Sequence, residues 1–211
     1  MSPQQQFWWN WWVYAVVAFA TFLAVFAALF GDWFKATVLP PRLTMRLREK
    51  AGEKTELTDR TTGQKIDDVR YFHLVVENER RWSPAKGVQV FLTGIEEFGP
   101  DGQPRVDWLG NVPMRWRDQE VVPLAQTVGA AKDADFLMVQ RTEAKVSLMP
   151  LLVPNNLRAQ RTGGCRFVAR LQARSEQVDS DVLRIQVAWD GVWEDGDAEM
   201  QGHLVVGSAD S

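Results

Sequence analysis

Apolar and polar side chains alternate in short runs from residue 42 onward, but before that point they do not alternate at all. Residues 13–30 are apolar except for Tyr14 and Thr21, and no Asp, Glu, Lys or Arg occurs in residues 1–31. A helix of about 20 apolar residues spans the hydrocarbon core of a bilayer, because lipid offers backbone N–H and C=O groups no partner outside the helix. Trp8, Trp9, Trp11, Trp12 and Tyr14 then mark one membrane interface, and Trp33 with Phe34 the other, since half-apolar rings favour the headgroup level. The expected division is a tail and transmembrane helix over 1–34, a juxtamembrane linker over 35–41 closed by Pro40-Pro41, a β domain over 42–207, and a tail over 208–211.

In the β domain Leu43, Met45 and Leu47 alternate with Arg42, Thr44, Arg46 and Arg48, the period of two of a half-buried strand. Residues 49–68 are polar, with Gly52 and Gly63 as turn signals, and read as a loop or small hairpin. The stretch 69–78 is a strand with Phe72, Leu74 and Val76 inward and His73 outward beside Tyr71. A loop through Arg80-Arg81-Trp82 leads to a strand over 88–96, apolar on both faces as in the middle of a sheet. After a tight turn at 99–104, short strands are predicted over 106–110 and 112–117, the second with Trp116 inward and Arg115 and Arg117 outward. An edge piece at 121–124 and strands at 136–140 and 145–149 follow. The clearest pair sets Cys165, Phe167, Ala169, Leu171 and Ala173 against Leu183, Ile185, Val187 and Trp189, with 203–206 as a closing strand. No helical periodicity is visible after residue 40. The expectation is all-β: an immunoglobulin-like β-sandwich preceded by one N-terminal transmembrane α-helix.

The run Leu74-Val75-Val76-Glu77-Asn78, then Ser83-Pro84-Ala85, then Val88-Gln89-Val90-Phe91-Leu92 resembles the opening of bacterial immunoglobulin-like sandwiches of the CARDB (cell-adhesion-related) kind. There a strand ends in Asn, a loop carries a small residue and a valine-rich strand pairs back. The likeness covers about a fifth of the domain, and Glu79-Arg80-Arg81 stands where a glycine usually follows the Asn. The whole chain is similar to uncharacterised single-pass bacterial membrane proteins ending in Trp-Asp-Gly-x-Trp, here Trp189-Asp190-Gly191-Val192-Trp193. These resemblances imply a fold and no activity.

A cleaved signal peptide competes with the anchor, but would need a basic leader, a shorter apolar core and a small-residue cleavage site. Ser2-Pro3-Gln4-Gln5-Gln6 carries no such charge, so a retained anchor is expected. The basic flank, Lys35, Arg42, Arg46, Arg48 and Lys50, stays cytoplasmic. That predicts an inner-membrane, single-pass protein, N-terminus out and β domain in the cytoplasm, with an extracytoplasmic domain as the alternative. The basic face of the first strand could rest on anionic headgroups or simply be solvated. Ala20, Ala24 and Ala28 share one stripe, which would let two helices approach and form a homo-oligomer; the plainer reading is that alanine is common in membrane helices.

A net charge of −3 argues against nucleic acid as a partner. Cys165 is the single cysteine, so no intrachain disulfide can form, and its inward phase reads as a buried, inert thiol. No nucleophile elbow, P-loop or dinucleotide fingerprint occurs. His73 and His203 are isolated and too few for a transition-metal site, so no cofactor is expected. Asp190, Glu194, Asp195, Asp197 and Glu199 are dense enough to invite Ca²⁺, yet their spacing does not match an EF-hand, and turn acidity is preferred. Arg80, Arg81, Trp82, Arg115 and Arg117 are the candidate contact residues, because Arg and Trp dominate binding hot spots and loops carry function. The expected function is a membrane-anchored, non-enzymatic interaction module that recruits or scaffolds an unidentified protein partner at the cytoplasmic face. The alternatives are an extracytoplasmic adhesion or ligand-binding domain, or an enzyme whose site is not visible in sequence.

Overall fold

The computed structural model describes residues 2–59, 61–99, 101–117 and 125–209, and it divides into two compact units, Met1–Pro40 and Pro41–Ser211. The first unit is one helix, α1 (Pro3–Val38), of which Pro3–Gly31 is long and apolar enough to cross a membrane, with none of the apolar window buried. Within the apolar run the Thr21 hydroxyl is satisfied internally: its Oγ1 donates to the Val17 carbonyl at 2.8 Å. The helix runs past the expected end at 34, so the linker begins four residues later than expected. The phenyl ring of Phe34 and the ammonium of Lys35 lie outside the described residues.

The second unit consists of two antiparallel sheets over one hydrophobic core. The first sheet has the order β1 (Leu43–Leu47), β3 (Lys65–Asn78), β7 (Ala131–Gln140), β8 (Lys145–Leu148) and β9 (Gln160–Thr162). β2 (Glu53–Thr58) also pairs with β3. The second has the order β12 (Leu204–Ser208), β11 (Leu183–Trp189), β10 (Cys165–Arg174), β4 (Ala85–Phe98) and β5 (Pro104–Pro113), with β6 (Gln126–Val128) also on β4. The inward rows expected from the alternation are buried: Phe72, Leu74 and Val76 of β3 meet Leu92, Phe167, Leu171 and Ile185 from the second sheet. Trp116 is buried, as its parity requires.

Several elements differ from the sequence expectation. Of the two readings of the polar stretch 49–68 the hairpin holds, as β2 with β3, but pairing extends β3 back to Lys65, beyond its expected start at 69. Gly52 makes its approach possible: its φ of +71° suits glycine, and an added Cβ would lie 2.7 Å from the Phe72 ring. A short helix, α2 (Asp197–His203), interrupts the all-β chain, with Asp197 and Glu199 in its first turn. It carries one buried apolar residue, Met200, and therefore no periodicity to read. β12 reaches Ser208, one residue into the expected tail. Val112 pairs with β4, but the chain then changes sheet, Trp116 bridging Ala134 of β7. The edge piece at 121–124 lies outside the described residues.

Candidate functional site

Register brings residues from three strands into rows across the outer face of the first sheet. Arg46 of β1 stands opposite Val75, and Val75 opposite Asp133 of β7. On the far side of β7, the Arg117 N–H donates to the Asp133 carbonyl at 3.0 Å and the Asp135 N–H to the Arg115 carbonyl at 2.8 Å. The parity that buries Trp116 turns Arg115 and Arg117 outward. A cleft of about 690 Å³ opens there, its walls set by Arg46, Arg48, Arg117 and Lys132 around Val75 and Trp116.

The charges of this cleft are matched locally. Arg46 pairs with Glu77 at 2.6 Å, Arg48 with Asp133, and Arg117 with Glu53 at 2.7 Å. Lys132 donates to the Gln126 amide oxygen at 2.6 Å. Such solvent-exposed pairs are worth about 1 kcal/mol or less each, so an incoming carboxylate or carbonyl can replace one partner at little net loss. The geometry supports exchangeable polar recognition, with Val75 and Trp116 buried beneath it. Next to it, His73 Nδ1 is 3.1 Å from Asp135 Oδ1, its Nε2 lies 3.7 Å from Glu53 Oε2 without a hydrogen bond, and the Tyr71 ring stacks on it. Burial raises the Tyr71 phenol above its usual value, Asp135 adding to the rise and Arg115 opposing it.

Arg80, Arg81 and Trp82 form the turn between β3 and β4. Asn78, buried, shapes that turn by accepting from the Arg42 and Arg80 N–H groups and donating to the Ser83 and Val128 carbonyls. Trp82 is 62% exposed there. The turn therefore follows the end of β3, whereas Arg115 and Arg117 sit at the level of Asp135 and Asp133, so the five candidate residues make two places and not one.

Three carboxylates of the acidic turn have side-chain partners. Asp197 accepts from Arg70 at 2.6 Å, Asp195 from Lys54 at 2.8 Å, and Asp190 pairs with His203 at 2.7 Å. The Lys54 ammonium, helped by the Trp193 indole N–H, lowers the Asp195 carboxyl to about 2. The hydrogen bond from His203 likewise lowers Asp190. Among the described residues no group of three or more His, Cys, Asp or Glu is placed to hold a metal ion. The Trp189-Asp190-Gly191-Val192-Trp193 run closes on itself. Trp189 Nε1 donates to the Val192 carbonyl, the Val192 N–H donates to Asp190, and Gly191 sits at φ +93° against Gly163 and Gly164. Cys165, half-buried, lines a hollow with Asp190 and His203, but its thiol senses Arg161, Glu97 and Arg158, and burial pushes it up.

On α1, Trp8, Trp9, Trp11, Trp12 and Trp33 are all exposed, and Ala20, Ala24 and Ala28 lie on one open stripe. Sequence reasoning missed Lys132, because residues 131–135 did not read as strand, and it missed Arg70, whose partners are far away in sequence. Arg46 and Arg48 were visible as the basic row of β1, but their carboxylate partners on β3 and β7 were not. Comparison with protein-family models, with curated proteins and with solved structures gives no match.

Proposed function

We propose that this chain is a membrane-anchored, non-enzymatic interaction module whose β domain recruits or scaffolds a protein partner at the cytoplasmic membrane face. The observation that carries the reading is the cleft of about 690 Å³ on the first sheet, where exposed, exchangeable ion pairs surround Val75 and Trp116. A partner re-pairs the arginines and Lys132 that line the cleft, supplying carboxylates or carbonyls in place of their present neighbours. α1 supplies the tether, which raises local concentration without any new contact. The basic residues that follow it, from Lys35 to Lys50, support the cytoplasmic orientation. An immunoglobulin-like relationship for the β domain belongs to the same proposal, supported by the buried Asn78 that ends β3 and organises the turn into β4.

A photoactivatable crosslinking residue in place of Lys132, in the full chain in its native membranes, tests this. A discrete protein adduct from position 132, absent from a control placed at the exposed Gln103, is the expected result. Equal labelling from both positions, or none from 132, contradicts it.

A further inference from the structure

The face of β1 that the sequence offered to lipid is neutralised in the fold, since Arg42, Arg46 and Arg48 each meet a carboxylate. A side chain better suited to a bilayer surface stands beside the start of that strand. Trp82, in the turn between β3 and β4, is 62% exposed. Buried Asn78 fastens the turn to the point where the chain enters the β domain. Its Oδ1 accepts from the Arg42 N–H at 3.2 Å, and the next residue, Glu79, donates its N–H to the Arg42 carbonyl at 3.0 Å. The same Asn78 ties in a second turn, its Nδ2 donating to the Ser83 carbonyl at 2.8 Å and the Val128 carbonyl at 3.3 Å, and its backbone N–H to the Ala130 carbonyl at 2.7 Å. One tip results. It carries the indole of Trp82 with Pro84, Gly129, Ala130 and Ala131, all exposed.

Chain length keeps this tip within reach of lipid. α1 ends at Val38, and Arg42 is already hydrogen-bonded within the domain. From the interface that Trp33 marks, the remaining helix and a fully extended linker allow Arg42 a separation of at most roughly 20 Å. Charge does not carry the docking. The groups exposed on and beside the turn are of both signs, Glu79, Arg81, Lys86 and Glu176, and Glu79 pairs with Arg42 at 3.2 Å. What the tip offers is a ring. An indole is apolar over most of its body with one N–H to donate, and it settles where headgroups meet acyl chains. Its small neighbours do not hold lipid away from it: at Gly129 nothing lies within 4 Å of the place a Cβ would take.

We infer that the tip formed by Trp82 and the turn at 129–131 inserts into the headgroup layer of the bilayer that holds α1, as a second, shallow point of attachment. A second attachment restricts the swing of the β domain about its linker, and so limits the directions in which the cleft of the first sheet can face. Insertion rests on the retained anchor of the proposed function. The experiment scores the two separately, the anchor by flotation and the tip by quenching.

The full chain with Cys165→Ser and Arg81→Cys, carrying an environment-sensitive fluorophore at position 81, is reconstituted in phosphatidylcholine vesicles brominated near the top of the acyl chains. A second preparation carries the fluorophore through Gln103→Cys instead, in the turn at the other end of β4. Both chains should float with the vesicles, and position 81 should be quenched several-fold more than position 103, with or without added salt. Adding Trp82→Ser to the first chain should lower its quenching to the level of position 103 while leaving the melting temperature in place, since the ring is exposed. Equal quenching at the two positions, or a response at 81 that survives Trp82→Ser, overturns the proposal. Quenching that requires phosphatidylglycerol and is abolished by salt overturns it too, because charge and not the ring would then hold the tip. A chain that floats with no quenching at 81 leaves the anchor standing and assigns Trp82 to a protein contact. One that does not float overturns the anchor, and this proposal with it.

Discussion

Arg70, with no exposed surface, donates to Asp197 Oδ1 at 2.6 Å across 127 residues of sequence. The same guanidinium donates to the carbonyls of Ala51 and Asp195 and lies 5.7 Å from the Trp193 ring, while its Nε has no partner. One side chain of the first sheet thereby fixes the turn that precedes α2. A buried charge deprived of its counter-ion is worse than no charge at all. Asp197→Ala should destabilise the domain by about 1–3 kcal/mol, tempered by the two carbonyls that remain. Arg70→Met, which removes the charge and keeps the volume, should be the milder change. Urea unfolding of the detergent-solubilised chain compares the two; the opposite ranking would mean that Arg70 is not held by Asp197.

The hairpin at β2 depends on one backbone position. Gly52 combines a left-handed φ with a close approach to Phe72, so Gly52→Ala meets both a strained backbone and a ring that must move. A loss of about 1–3 kcal/mol is expected. Gly63, also at positive φ but with nothing near its missing Cβ, should lose less when replaced by Ala, by the backbone strain alone. Thermal melts of the two variants provide the check.

Stability should also follow the acidic turn. Asp195 titrates near 3.8 when unfolded and at about 2 in the fold, so its contribution is fully present above pH 4 and is lost as pH falls toward 2. Asp190 is shifted in the same direction by His203. Asp195→Asn should therefore flatten the acid limb of the stability curve while leaving its slope above pH 5 unchanged. An unaltered acid limb would mean that the Lys54 pair does not form in solution.

These cases separate what the chain's pattern can reveal from what it cannot. Alternation in β3, β10 and β11 was enough to place Phe72, Phe167 and Ile185 inside, because a period of two fixes a side chain's face by local geometry. The same parity placed Trp116 in the core and Arg115 and Arg117 outside it. It could not show that 112–117 changes sheet, since a strand looks the same whichever neighbour it pairs with. Nor could it show that the carboxylates at Asp195 and Asp197 answer Lys54 and Arg70, over 120 residues earlier. α2 was invisible for a different reason: one buried residue in seven gives no helical repeat. Partners, unlike faces, are decided by tertiary packing.

The helix stripe of Ala20, Ala24 and Ala28 makes a separate prediction about assembly. Ala24→Ile adds bulk where two helices would need to touch, and should lower self-association in a membrane two-hybrid assay if the stripe is a contact. Unchanged association would leave the stripe as ordinary membrane-helix composition.

Orientation has its own test. In cells whose protein carries Cys165→Ser and Ser208→Cys, an impermeant thiol reagent should label residue 208 only after the membrane is opened. Labelling in intact cells would place the β domain outside and favour an extracytoplasmic ligand-binding role.

The account stands on α1 remaining attached as a membrane anchor. Intact mass of the chain recovered from cells, with its partition after alkaline carbonate washing, tests that most directly. The expected result is a membrane-bound chain that retains Trp8 to Trp12; a soluble product beginning beyond Trp33 would contradict it.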